Sequence, residues 1–139
     1  MATWQRFEDE AGGLATEVRR IFLASRGHVL ATLRRDGSPR VSGVEVAFQG
    51  ADLTFGSMLG ARKAQDLARD GRFALHSTPA EGGDAKISGV AVELLAEGDS
   101  HLFRFDLAEV VHTALGEDGK HLLIRLWRPG LAVEEFRRY

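Results

Sequence analysis

Trp4, Phe7, Ala11, Leu14, Val18, Ile21 and Phe22 recur at spacings of three and four, the period of a helix with one buried face. An amphipathic helix is therefore expected over the first 25 residues, weakened at Gly12 and Gly13 by about 1 kcal/mol each relative to alanine. From His28 the period drops to two. The stretch HVLATLRRDGSPRVSGVEVAF reads as two strands joined at Arg35-Asp36-Gly37-Ser38, a hairpin signal built on Asp-Gly. A third strand, ADLTFGS, leads to a short helix predicted over Arg62–Arg69, with Ala64, Leu67 and Ala68 on one face and a stop at Asp70-Gly71. RFALHST and AKISGVAVELLAEG follow as the fourth and fifth strands. HLFRFDLAEVVHTAL and KHLLIRLW are the last two, joined by a turn at Gly116–Gly119. The C-terminal RPGLAVEEFRRY is less regular.

About seven short strands and two helices in sequential hairpins argue for a mostly antiparallel sheet, expected to close into a barrel. The pattern is not that of a doubly wound nucleotide-binding fold. With 139 residues and no repeat, linker or low-complexity tract, one domain over residues 1–139 is expected.

Composition narrows the function. The net charge of −2 gives no global field to recruit nucleic acid or an anionic membrane, so any anion site must be local. Zero cysteines exclude disulfides, thiolate metal sites and a cysteine nucleophile, and fit a reducing cytoplasm. The polar, acidic N-terminus is unlike a secretory signal, and no apolar run approaches the roughly 18 residues of a membrane span. The expected location is cytoplasmic. His28, His76, His101, His112 and His121 form no metal-ligand spacing, so no metal is expected. No G-x-S-x-G elbow surrounds Ser25, Ser57 or Ser77, and no side chain stands out as an acid or base. The pattern names no catalytic residue.

Local anion chemistry does have a candidate. In GSMLGARKAQDL, Arg62 and Lys63 stand at a helix start, where the helix dipole already places partial positive charge. A phosphate there would receive unpaired backbone N–H groups, the Arg62 fork and the Lys63 point charge, with Ser42 and Ser57 as further donors. The alternative is a solvated helix end with two side chains reaching outward. The phosphate loop of nucleotide hydrolases does not fit, because Ala64 stands where its Ser or Thr belongs. In PRVSGVEVAF, Arg40, Ser42, Val44, Val46 and Phe48 share one face, opposite Val41, Gly43, Glu45 and Ala47. Gly43, like Gly89, marks either a close approach by a ligand or backbone, or a bulge. Trp127, before the Pro129-Gly130 break, is either core or a pocket wall.

Taken together, the Arg40–Glu45 strand, LTFGSMLGARKAQDLARDGRFALHS, KISGVAVEL and LWRPG resemble the pyridoxamine 5′-phosphate oxidase-like family of flavin-binding split β-barrels. The resemblance runs from Val29 to Leu95 and again over the last third. It implies a mainly β, α+β fold: a six-stranded antiparallel split barrel with an N-terminal helix and a short helix after strand three. It also implies a homodimer with a flavin between subunits. Arg62 and Lys63 match the phosphate-binding pair, Ser57 and Met58 their neighbours, and Arg40 a strand arginine that reaches the phosphate. Val41, Ser42, Gly43 and Val44 would back the cofactor, and Trp127 matches an aromatic near the flavin. The implied cofactor is FMN, with the deazaflavin F420, which bears a phosphate and an oligoglutamate tail, as the alternative. The implied activity is hydride transfer to or from a small organic substrate; a flavin- or haem-binding module without turnover is the other reading. No Arg-Leu-His motif follows Trp127, so pyridoxamine-phosphate oxidation itself is not expected. The connection at 96–103 is short where many relatives carry a helix.

Overall fold

A computed structural model describes residues 1–95 and 98–139. The N-terminal apolar stripe forms two helices rather than one, α1 (Trp4–Glu10) and α2 (Gly12–Leu23). Thr3 caps α1, its Oγ1 accepting from the Arg6 N–H at 3.1 Å. The chain leaves helical geometry at Ala11 (φ −137°, ψ 42°), immediately before the two glycines that weaken the pattern. This break lets Trp4 and Phe7 on α1, and Leu14, Val18, Ile21 and Phe22 on α2, all reach the core.

Four strands come next, because the second of the three expected is broken: β1 (His28–Leu33), β2 (Pro39–Val44), β3 (Val46–Gln49) and β4 (Asp52–Met58). Helix α3 (Arg62–Arg69) then leads to β5 (Arg72–His76), β6 (Asp84–Leu94), β7 (Ser100–Leu115), β8 (Leu122–Trp127) and β9 (Glu134–Arg138). Every pairing is antiparallel, in the order β2-β1-β5-β6-β7-β4-β3, with β8 on β7 and β9 on β8.

The architecture is mainly antiparallel β with three helices, which corrects the expectation of a closed six-stranded barrel. Among the described residues there are nine strands, and the sheet is not closed. The count exceeds the sequence tally for two reasons. The strand expected to run on past Val44 is interrupted at Glu45, and the less regular tail pairs with β8 through Leu122↔Arg138 to Leu126↔Glu134. The interruption explains the open sheet. β2 and β3 stand at its opposite ends and are joined only by chain, through Glu45, not by a ladder of hydrogen bonds.

One long strand organises the rest. Along one edge β7 pairs with β6; along the other it pairs first with β4 (100–104) and then with β8 (110–115). The gap between them is filled by Ala2, which exchanges both backbone hydrogen bonds with Leu107 at 2.9 and 2.7 Å. That pairing satisfies an edge that would otherwise be left with unmet backbone groups. Inside, Phe55 stacks on Phe103 and on Phe105, both at 5.1 Å between ring centroids, and Phe73 tilts against Phe105 at 4.4 Å. Of the short 96–103 connection, Ala96 and Glu97 lie outside the described residues, and Ser100 already belongs to β7.

Gly89 is a bulge residue. The β6–β7 register shifts at Ser88/Gly89, and a Cβ at Gly89 would stand 1.9 Å from the Asp106 carbonyl oxygen. Another backbone, not a ligand, accounts for that glycine.

On β7, buried His112 is held as one tautomer. Arg125 Nη2 donates to its Nδ1 at 3.1 Å, so Nε2 bears the proton and donates to the Gly82 carbonyl at 2.8 Å. Burial pushes the His112 imidazole below the usual histidine range and the Arg125 cation adds to this, while the Gly82 carbonyl, Glu17 and Asp84 oppose it. A histidine depressed in the folded state binds its proton more readily in the unfolded chain, which titrates at about 6.5. Stability is therefore expected to be full above that pH and to fall as the pH drops through the folded value. Thermal melts between pH 8 and 5 check this, and His112→Gln should flatten the slope over that window.

Candidate functional site

β4 delivers the chain to α3 through a turn closed by the Ala61 N–H on the Met58 carbonyl at 3.1 Å. The helix starts without help: Ala61 offers no side-chain cap and the first turn contains no acid. Among the described residues, no hydrogen bond engages the backbone N–H groups of Arg62, Lys63 or Ala64. These are the orphan donors of a helix start. Two cations sit on them. Arg62 is exposed and has no ion pair among the described residues, and Lys63 Nζ donates to the Gly43 carbonyl on β2 at 3.3 Å.

Beneath this helix start lies a carboxylate that the sequence pattern did not single out. Asp66 is only 3% exposed, and each of its oxygens is occupied. Oδ2 accepts from Thr32 Oγ1 and from Arg40 Nε, both at 2.8 Å, and Oδ1 accepts from Arg69 Nη2 at 2.9 Å. Arg69 also donates to the Leu33 carbonyl at 3.0 Å. Burial alone would raise the Asp66 carboxyl, but hydrogen bonds from Arg40, Thr32 and Arg69 outweigh it and hold the group below its usual range. The consequence for Arg40 is positional. Its Nε is committed to Asp66, whereas no bond to its two Nη atoms is found among the described residues. A guanidinium anchored from behind in this way presents its free edge to whatever lies in front.

In front is an open cleft of about 400 Å³ lined by Arg34, Arg35, Asp36, Arg40 and Arg62. Arg34 and Arg35 come from the β1–β2 turn, which is fixed by the Arg34 N–H on the Ser38 carbonyl at 2.8 Å and the Gly37 N–H on the Arg34 carbonyl at 2.9 Å.

The residues expected at the site divide into three groups. Arg40 and Arg62 line one cleft, and Lys63, next to Arg62, reaches the Gly43 carbonyl on the strand that also carries Arg40. Gly43 faces open space, with nothing within 4 Å of a Cβ placed there, and Val41 beside it is 72% exposed. Ser42 is half-buried between them and Val44 is buried. Met58 is 79% exposed at the end of β4, whereas the Ser57 side chain is buried and makes only a long contact, 3.5 Å, to the Met58 carbonyl. Trp127 is not part of this grouping. It is fully buried, its ring 4.7 Å from that of Phe7 on α1, and it is core rather than pocket wall.

Thr32, Asp66, Arg69, Arg34 and Arg35 were missed by sequence reasoning. Asp66 did leave a trace: it falls between Ala64 and Leu67, the apolar positions of α3, where a charge needs a buried partner.

A model of the pyridoxamine 5′-phosphate oxidase family matches residues 14–114. The chain belongs to this family. No curated protein matches it in sequence. Among solved structures, one similar fold is a pyridoxamine 5′-phosphate oxidase-related, FMN-binding protein from Nostoc punctiforme, with a TM-score of 0.70 at 10% identity, covering 93% of this chain and 96% of the other. A second is PhzG from Burkholderia lata, solved with tetrahydrophenazine-1-carboxylic acid, with a TM-score of 0.65 at 16% identity, covering 91% and 86%. A third is a haem-binding protein from Mycobacterium smegmatis, with a TM-score of 0.60 at 16% identity, covering 86% of this chain. This chain spans 56% of that protein's length. At these identities the likeness is one of fold. The buried Thr32–Asp66–Arg40 chain is read from this protein's own geometry.

Proposed function

We propose that this chain binds a phosphate-bearing flavin cofactor, FMN, with its phosphate at the start of α3, and acts as a flavin-dependent oxidoreductase on a small organic substrate. One observation supports the reading above the others: three unpartnered backbone N–H groups stand at the start of α3 beside Arg62 and Lys63, with no acid in that first turn, and Arg40 lines the same cleft as Arg62. Backbone donors at a helix start suit a dianion, and the cations supply charge-assisted bonds to it. The FMN-binding relative from Nostoc points the same way. Side chains gathered here are arginine and lysine, which suit a phosphate better than the iron of a haem.

When bound, the flavin would supply the hydride chemistry. The chain's part is to hold and orient it. Lys63 would exchange its 3.3 Å bond to the Gly43 carbonyl for a phosphate oxygen, while the open face at Val41 and Gly43 leaves room for a flat ring against β2. A second copy of the chain would cover that ring, making the working unit a homodimer of twice the chain mass in solution, measurable by light scattering. F420 is the alternative cofactor, since its phosphate satisfies the same donors.

Fluorescence titration of the apo-protein with FMN and F420, repeated with Lys63→Ala, tests the reading. Loss of one charge-assisted contact of about 1.5–3 kcal/mol should weaken binding roughly 10- to 150-fold. If neither cofactor binds the wild type at high micromolar concentration, the reading is overturned and the helix start is merely solvated.

A further inference from the structure

The outer edge of β9 holds charge that has no partner within the chain. β9 pairs with β8 along one side, and among the described residues its other side faces no strand. Such an edge offers a row of free N–H and C=O groups to another chain. Its sequence is Glu134-Glu135-Phe136-Arg137-Arg138. The charged residues are exposed and Phe136 is half-buried. Among the described residues, none of Glu134, Glu135, Arg137 and Arg138 forms an ion pair. The neighbouring strand supplies none: Arg138, Arg137 and Glu134 stand opposite Leu122, Leu123 and Leu126. Glu135 stands opposite Arg125, whose Nη2 is turned to His112.

The order of these charges is self-complementary. Lay two copies of β9 edge to edge, antiparallel and centred on Phe136. Glu134 then stands opposite Arg138, Glu135 opposite Arg137, and Phe136 opposite its own copy. Both pairings occur twice about the two-fold axis, so every charge on the strand meets an opposite one. Directly opposite residues project from the same face with Cβ atoms about 4.5–5.5 Å apart, within reach of a carboxylate and a guanidinium. Neighbouring registers do not achieve this. Moving the centre by one residue sets Glu135 against Glu135, or Arg137 against Arg137, and parallel pairing runs like charges side by side. Like charges directly opposite are destabilising, so the charge order selects one partner in one register.

We infer that β9 is a self-recognition edge, at which two copies of this chain join antiparallel and the sheet continues from one into the other. The contact goes beyond the cofactor reading and does not depend on it. β9 lies outside β8 and β7, whereas β2, with its open face at Val41 and Gly43, stands across β1, β5 and β6 from β7. Five residues a side make a short interface, and exposed ion pairs are screened by salt. Association at this edge is therefore concentration-dependent and weakens as salt is added.

Sedimentation of the apo-protein over a range of micromolar concentrations tests it with charge variants. Glu134→Arg/Glu135→Arg makes the strand wholly basic, and Arg137→Glu/Arg138→Glu makes it wholly acidic. Each should halve the mass that the wild type reaches at the highest concentration. Mixed in equal amounts, the two should regain that mass, because each supplies the charge the other lacks. All four substitutions in one chain exchange the signs and should restore self-association. The positions are exposed, so the variants should fold, and matching thermal melts confirm that they do. A second measurement uses the absence of cysteine from the sequence. Phe136→Cys puts one thiol at the axis and should give disulfide-linked pairs of chains under mild oxidation. Glu134→Cys, whose copy lies at the other end of the partner strand, should not. The proposal is overturned if the wild type stays monomeric, if either charge variant keeps the wild-type mass, or if the folded variants fail to recover it when mixed. Equal cross-linking of the two cysteine variants overturns it as well. A two-chain mass that persists in every variant belongs to the cofactor face and leaves the cofactor reading intact.

Discussion

Trp127→Ala is expected to lower the stability of the fold by about 3–5 kcal/mol while leaving FMN affinity within about twofold. The ring is fully buried and meets Phe7, which in turn stands edge-on to Trp4 at 5.1 Å. Trp127 also pairs with Val110 at the end of β8, so this one side chain joins the sheet to the N-terminal helix. Truncation would leave a cavity between two elements that are far apart in sequence. For a chain of this length the loss corresponds to a drop of about 10–20 °C in Tm. The affinity arm matters as much as the melt. An aromatic wall of the cofactor pocket would give the opposite pattern, with weaker FMN binding and a modest change in Tm. Titration below the variant's melting range separates the two.

Asp66→Ala is expected to cost about 3 kcal/mol and to weaken FMN binding as well. Removing one partner of a buried ion pair typically costs about 3–5 kcal/mol, because the charges left behind are uncompensated. The lower end applies here, since Arg40 and Arg69 keep side-chain exposures of 20% and 31% and can recover some water. Thr32, fully enclosed, would lose its only acceptor among the described residues. Without Asp66, Arg40 loses the bond that fixes its plane, so its free edge no longer meets the phosphate in one orientation. Asp66→Asn keeps the shape and one acceptor oxygen, and should fall between wild type and alanine in both stability and affinity. A purely structural role would move Tm in both variants and leave the FMN dissociation constant unchanged at a temperature where each is folded. The pH dependence has a definite sign. The Asp66 carboxyl is depressed in the folded state, so its stabilisation is complete above the ordinary aspartate range and is lost as the pH falls through the lower, folded value. The His112 effect lies at higher pH and is separable by substitution.

Much of this fold was legible because its strands are local patterns. Alternation of apolar residues located β1, β4, β5, β7 and β8, and Asp36-Gly37 located the first hairpin, because side-chain direction in a strand has a period of two whatever surrounds it. Helix α3 was read with its observed bounds, Arg62–Arg69, from three apolar positions and the cations at its start. The breaks were not legible. Ala11 continues the apolar stripe of the helix and Glu45 continues the alternation of the strand, so neither interrupts its local pattern. Ala11 departs from the helix so that two apolar faces can meet one core, and Glu45 so that one chain segment can serve both ends of the sheet. The tail became a strand only because β8 offered it an unpaired edge.

The site divides along the same line. The sequence by itself determined that two cations stand at an uncapped helix start, that a strand containing a glycine lies upstream, and that no acid follows in the first turn. These are relations within a few residues, and helix geometry alone gives them meaning. Only the tertiary structure decided which distant groups meet there. Thr32 and Arg40 reach Asp66 across 34 and 26 residues, and Arg34 and Arg35 come to face Arg62 from a turn on another element. The same packing took Trp127 away from the site and into the core. Charge and burial at a point depend on strand register and on how helices seat against a sheet. Both are set by the packing of the whole core, to which no short stretch of sequence has access.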